Sequence, residues 1–186
     1  MNEGAPSPTR QLVHEHAVIG LVIAAMEREA ARVRETGDIE VAAVERMVRF
    51  TREFTDGCHH EKEERLLFPL MQEVDSGSVS PVSLMLREHD GARLRIAAVM
   101  DALPAARDGD PLARRTIAAN LVGYASLLFS HIARENNLVF PLAERVLNAD
   151  DKRRLVVEFG RVDEEAGPGA HEQFEAMARE LAGMAE

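Results

Sequence analysis

Cys58-His59-His60-Glu61-Lys62-Glu63-Glu64-Arg65-Leu66-Leu67-Phe68-Pro69-Leu70 is the stretch from which the fold can be read. It is answered downstream by Ser130-His131-Ile132-Ala133-Arg134-Glu135-Asn136-Asn137-Leu138-Val139-Phe140-Pro141-Leu142. His59/His131, Glu63/Glu135, Leu66/Leu138, Phe68/Phe140, Pro69/Pro141 and Leu70/Leu142 all match at an offset of 72. Glu15-His16 returns as Glu88-His89 at an offset of 73. The chain is thus an internal repeat, and each half supplies one lone histidine and one His-x-x-x-Glu.

Around these motifs apolar residues recur at helical spacing, with Ala, Leu, Arg and Glu dominant. The spacing predicts helices over Thr9–Arg34, from an Asp38 cap to Val74, over Pro81–Leu103 and over Leu112–Leu147. Short connections favour antiparallel neighbours, so the expectation is an all-α, antiparallel up-down-up-down four-helix bundle over residues 9–147. Residues 1–8 read as a flexible N-terminal tail. Residues 148–186 read as a C-terminal appendage of two additional C-terminal helices. These helices are expected to cap the bundle or to join two copies in a homo-oligomer, with a direct part for His171 and Glu172 as the alternative. Pro104 marks a connection, and Pro69 and Pro141 are expected to kink or end their helices.

A step of 3.6 residues places His16 with Leu12, Ile19 and Ile23, and His89 with Val82, Met85, Ile96 and Met100. The same step places His59 and Glu63 with Val44, Val48, Leu66 and Leu70, and His131 and Glu135 with Ile117, Leu127, Leu138 and Leu142. All six polar residues therefore lie on apolar stripes. Any one such histidine is more often a hydrogen-bonded core residue. Two carboxylates and four imidazoles in one core would be costly without a cation, and a divalent metal satisfies both residue types. His16, His59, Glu63, His89, His131 and Glu135 are the predicted ligands. Their nitrogen and oxygen donors suit Fe, Mn or Zn, and each glutamate can bridge two ions.

His60, four before Glu64, competes with His59. Its upstream line (Arg46, Arg49, Glu53, Asp56) reads as a solvated face, and its repeat partner is Ile132. It is a candidate for a supporting group behind the ligands, as is Tyr124. His14 and Cys58 read as structural.

The composition narrows the rest. The 186 residues carry 22 basic and 32 acidic groups, a net charge of −10. That balance argues against nucleic acid and against anionic membranes. One cysteine gives no disulfide framework. The longest apolar run, Ala17–Met26, is about half a bilayer span. A cytoplasmic location is expected, with no membrane partner.

These motifs resemble the hemerythrin-like (HHE cation-binding) family, bacterial single-domain type, over residues 10–147. The resemblance implies an antiparallel bundle around a non-haem di-iron centre of two Fe ions, bridged by both glutamates and an oxo, hydroxo or water ligand. Oxygen-carrying members have a further histidine where this chain has Arg93. On the last helix they place an aspartate five residues after the histidine, whereas Glu135 follows His131 by four. The chain is more similar to the iron-sensing hemerythrin-like domain of an F-box protein. The reading that follows is a di-iron protein binding or sensing dioxygen, nitric oxide or a related small ligand such as peroxide. The alternatives are a di-iron oxidoreductase (ferroxidase, peroxidase or nitric-oxide-consuming) and a structural, metal-locked interaction domain. No Gly-rich phosphate loop, Cys-x-x-Cys or nucleophile elbow is present.

Overall fold

The computed structural model describes residues 7–184, and among these no strand occurs. Residues 1–6 of the expected tail lie outside the described residues. Six helices follow in order: α1 (Pro8–Thr36), α2 (residues 41–74), α3 (Val79–Arg107), α4 (Pro111–Val146), α5 (Ala149–Glu165) and α6 (Ala170–Leu181). Gly37 closes α1 in the left-handed region (φ 76°) and returns its N–H to the Val33 carbonyl, a conformation that glycine adopts without a Cβ penalty. Asp110 caps α4, and Asn148 with Asp151 forms a reciprocal capping box on α5, worth about 1 kcal/mol.

Several boundaries differ from expectation. Asp38 does not cap α2, whose first turn follows Glu40. The Glu40 N–H is instead held by the Glu29 carboxylate at 2.6 Å. Pro104 lies inside α3, one turn before its end. Pro69 and Pro141 do not end their helices, because both follow a widened turn. Phe68 N–H bonds the Glu63 carbonyl and Phe140 N–H bonds the Glu135 carbonyl, five residues back in each case. A π turn of this kind shifts the hydrogen-bond register where an N–H would be lost, and it makes room for the proline ring. Residues Thr51–His60 of α2 are π-helical as well.

The core is two apolar clusters. The larger joins α1 to α4 through Ile19, Phe50, Phe54, Val99, Leu121 and Leu128, and includes Phe174 of α6. The smaller joins Leu12, Phe68, Met85 and Phe140 to Leu155 and Phe159 of α5. Both C-terminal helices therefore lay apolar residues on the bundle, each large side chain contributing about 1.5–3 kcal/mol by burial. One helix, Pro111–Val146, is long and apolar enough to cross a membrane. Its buried face gives Ile117 to Leu128 to the larger cluster and Val139, Phe140 and Ala143 to the smaller.

Candidate metal centre

Between the two clusters runs a polar layer. On α1, His16 separates Leu12 of the smaller cluster from Ile19 of the larger, and on α3 His89 separates Met85 from Ala92. On α2, His59, His60 and Glu63 fall between Phe54 and Leu67, and on α4 His131 and Glu135 fall between Leu128 and Val139. All seven side chains are buried, Glu63, His131 and Glu135 completely.

Each imidazole is fixed through its Nδ1. His59 Nδ1 lies 2.9 Å from Glu15 Oε2, and His131 Nδ1 lies 3.0 Å from Glu88 Oε2. His89 Nδ1 lies 2.7 Å from Glu64 Oε1, and His16 Nδ1 lies 2.9 Å from Asn136 Oδ1. The glutamate before each lone histidine thus holds the histidine of the following helix. The residue after each buried glutamate holds the lone histidine of the other half. His60 Nδ1 faces Asp56 Oδ1 at 3.3 Å. With each Nδ1 held by an outer oxygen, every Nε2 faces the interior, where those of His89 and His131 lie 3.1 Å apart; outer carboxylates orient metal-binding histidines in this way.

The inward atoms crowd one another, Nε2 of His16 and of His131 each 3.1 Å from Glu135 Oε2. Nε2 of His16, His59 and His60 and both oxygens of Glu63 and Glu135 are buried without a hydrogen-bond partner. They fall into two groups of four, each with donor atoms within 4.8 Å of one another: His16, His59, Glu63 and Glu135, and His60, Glu63, His89 and His131. Glu63 stands in both groups and Glu135 in one. Unpaired buried polar atoms cost about 1–3 kcal/mol each, so seven at one point require a compensating charge. Burial, with the Glu135 carboxylate beside it, pushes Glu63 well above the usual carboxylate range. For Glu135, burial is outweighed by His131 and His16, and the carboxyl is held well below that range. Burial lowers His59 to about 4 and holds His60 well below the usual imidazole range, so both imidazoles are neutral at pH 7. Neutral imidazoles with carboxylates are the donor set of Fe, Mn or Zn, and the residues fit two such ions.

The structure brings the six predicted ligands into this layer and adds His60, which the helical arithmetic placed on a solvated face. The reason is the π-helical stretch before it. The wider turn carries the chain off the 3.6-residue line and turns both members of His59-His60 inward. The π turn over Glu135–Val139 has the opposite effect on Leu138, which is exposed although its stripe was expected to be buried. Tyr124 is buried beside His60 along one cavity and belongs to neither group of donors. His14 is exposed and pairs with Glu175, and Glu172 is exposed on α6.

Sequence reasoning missed the residues behind the ligands. Glu15 is buried and also accepts from Lys62 Nζ at 2.5 Å. Lys62 is 0% exposed and reaches Asp163 of α5, also at 2.5 Å. Asp163 in turn accepts from His171 of α6 at 2.7 Å. Glu15, Asp163 and His171 have the spacing of a further metal triad, but the Lys62 ammonium already supplies its cation. The repeated Glu-His dipeptide carried a signal for Glu15 and Glu88. For Lys62 and Asp163 the sequence carried none.

Fold and site together define an all-helical protein with a buried, duplicated His/Glu cation-binding layer. A family model, the hemerythrin HHE cation binding domain, matches residues 7–143, and the chain belongs to that family. An uncharacterized protein of Mycobacterium bovis is 26% identical over 149 residues, covering 80% of this chain and 58% of its own. The iron-sulfur cluster repair protein YtfE of Pectobacterium carotovorum is 33% identical over 90 residues, covering 47% of this chain and 41% of its own. YtfE of Musicola paradisiaca is 36% identical over 91 residues, 47% of this chain and 40% of its own. The chain thus spans about two-fifths to three-fifths of these relatives' lengths. No solved structure matches it.

Proposed function

We propose that the chain is a di-iron protein of the cytoplasm that binds or senses a small ligand such as dioxygen, nitric oxide or peroxide. The observation that carries this reading is the convergence of seven buried atoms without hydrogen-bond partners from five imidazole and carboxylate side chains, the imidazoles being held through Nδ1. His16, His59, Glu63 and Glu135 would hold one ion, and His60, His89, His131 and Glu63 the other, with Glu63 shared. Iron is supported over zinc by the likeness to proteins named for iron-sulfur cluster repair. Two irons would supply a shared two-electron change. The chain's own residues orient the imidazoles through Glu15, Glu88, Glu64 and Asn136, and exclude water with the apolar clusters above and below.

Metal analysis of protein from its native host should give close to two ions per chain. Glu63→Gln should lose at least one, and a Glu63→Gln/Glu135→Gln protein that keeps both would overturn the assignment. A reversible change in the visible spectrum of the anaerobic ferrous protein on adding dioxygen or nitric oxide is expected. Sustained consumption of peroxide or nitric oxide would favour the oxidoreductase instead.

A further inference from the structure

The repeat extends to the groups behind the histidines, and there its two halves part. His59 Nδ1 is held by Glu15 Oε2, and the other oxygen of Glu15 accepts from Lys62 Nζ at 2.5 Å. His131 Nδ1 is held by Glu88 Oε2, and the other oxygen of Glu88 accepts from Arg134. Lys62 and Arg134 stand at the same offset of 72 as the ligands. The wiring is the same, but the Arg134 side chain is 37% exposed and that of Lys62 is 0% exposed.

The difference comes from α5 and α6, which lie beyond residue 143, where the match to the family domain ends. Asp163 Oδ1 of α5 lies 2.5 Å from Lys62 Nζ and 2.7 Å from His171 Nε2 of α6. Its Oδ2 accepts from Gln11 of α1 at 2.7 Å. The Phe159 ring centre stands 6.0 Å from the ammonium, and Phe54 packs edge-on against His171 at 5.2 Å. A charged network whose members are all paired is stronger and stiffer inside a protein than in water. An exposed ion pair is screened and free to part. Two carboxylates on one buried ammonium therefore keep Glu15 in one orientation, and Glu15 keeps the His59 ring in one orientation.

We propose that Asp163 is a positioning residue for the metal layer, which through Lys62 and Glu15 fixes His59 and makes the position of His16, His59, Glu63 and Glu135 the tighter of the two. Two carboxylates there against one in the other group favour the same order. The position of His60, Glu63, His89 and His131 is the exchangeable one, its rings backed by Glu64 and Glu88, which are partly open to solvent. The inference rests on the two-ion reading above and adds which ion is kept, and it gives the C-terminal helices a part in the metal centre.

Anaerobic cobalt(II) titration of the metal-free full chain against a competing chelator tests it, cobalt(II) being next after iron in the affinity order of such sites. Two steps are expected in the parent. Asp163→Ala should weaken the tighter step about tenfold or more, as loss of an outer partner does, and leave the weaker step within about threefold. Asp163→Asn should keep both steps within about threefold of the parent, since its oxygen still accepts from Lys62 and His171 and the Gln11 amide can turn to face the new N–H group. Arg134→Ala should leave the tighter step unchanged. Circular dichroism verifies that each variant is folded. A second readout needs no Asp163 variant: nitrogen NMR of the metal-free parent, assigned with His59→Gln and His131→Gln, should show the His59 Nδ1–H exchanging at least tenfold more slowly than that of His131. The inference is overturned by a tighter step unchanged in Asp163→Ala, by equal losses in the alanine and asparagine variants, by a tighter step that falls in Arg134→Ala, or by equal exchange at the two rings. A parent that binds fewer than two ions would remove the two-ion reading and this inference with it, whereas those four results in a two-ion parent remove this inference alone.

Discussion

Replacing Lys62 by methionine removes the one positive charge held in the interior behind His59. The side chain is fully buried, with its ammonium 2.5 Å from both Glu15 Oε1 and Asp163 Oδ1 and 6.0 Å from the centre of the Phe159 ring. Methionine keeps the stem's apolar contacts, so the loss is electrostatic. Asp163 is about a quarter exposed and can turn to water, so its share is small. Glu15 is 1% exposed and would keep His59, a long contact to Gln11 and His171 at 3.9 Å. Removing one partner of a buried ion pair costs about 3–5 kcal/mol. In a chain of this length each kcal/mol moves Tm by about 2–4 °C, so a fall of about 6–20 °C follows. Urea unfolding of the metal-free protein is the assay, because bound metal would add its own stabilisation. Adding Glu15→Gln should recover most of the loss, since the second change removes the stranded charge. A Lys62→Met protein within 1 kcal/mol of the parent would refute the reasoning. So would a double variant in which the two single losses simply add.

Further outcomes follow from the same geometry. Glu15→Ala and Glu88→Ala should each weaken metal binding by about 10–100-fold, measured by chelator competition, because each frees the Nδ1 of one histidine. His60→Phe should lower the affinity of one ion and leave the other, visible as a split titration. Asp163 raises the His171 pKa and is itself held below the usual carboxylate range by His171 and Lys62 despite its burial. The stabilisation from His171 is therefore complete below its unfolded pKa of about 6.5 and fades as pH rises through the higher folded value, while that from Asp163 is lost in acid. His171→Ala should accordingly cost more stability at about pH 5.5 than at about pH 9, as read by paired urea melts. Burial pushes the Cys58 thiol up to about 11, so it should react with a thiol reagent at about pH 8 only after unfolding.

The repeat made the helices and the six symmetric candidate ligands legible, because duplicated histidines and glutamates on apolar stripes need a shared compensating charge. Helical arithmetic failed where the helix itself is not α. The π-helical run Thr51–His60 turns His60 inward, and the π turn after Glu135 turns Leu138 outward, and no residue in either stretch announces a wider turn. Pro69 and Pro141 were the nearest signal, since a proline within a continuing helix demands some change of register. Lys62 and Asp163 were invisible for another reason: their pairing joins residues 101 positions apart, across helices whose contact follows from tertiary packing alone.

One consequence of the duplication concerns symmetry. Two separate, identical hairpins related by a rotation would have to present the same residue at equivalent positions. In this chain the equivalents of His60 and Glu64 are Ile132 and Asn136. One side of the layer therefore has three imidazoles and a shared carboxylate, the other two imidazoles and two carboxylates. Halves joined in one polypeptide are free of that constraint, so the two neighbouring donor groups differ in charge and in donor softness.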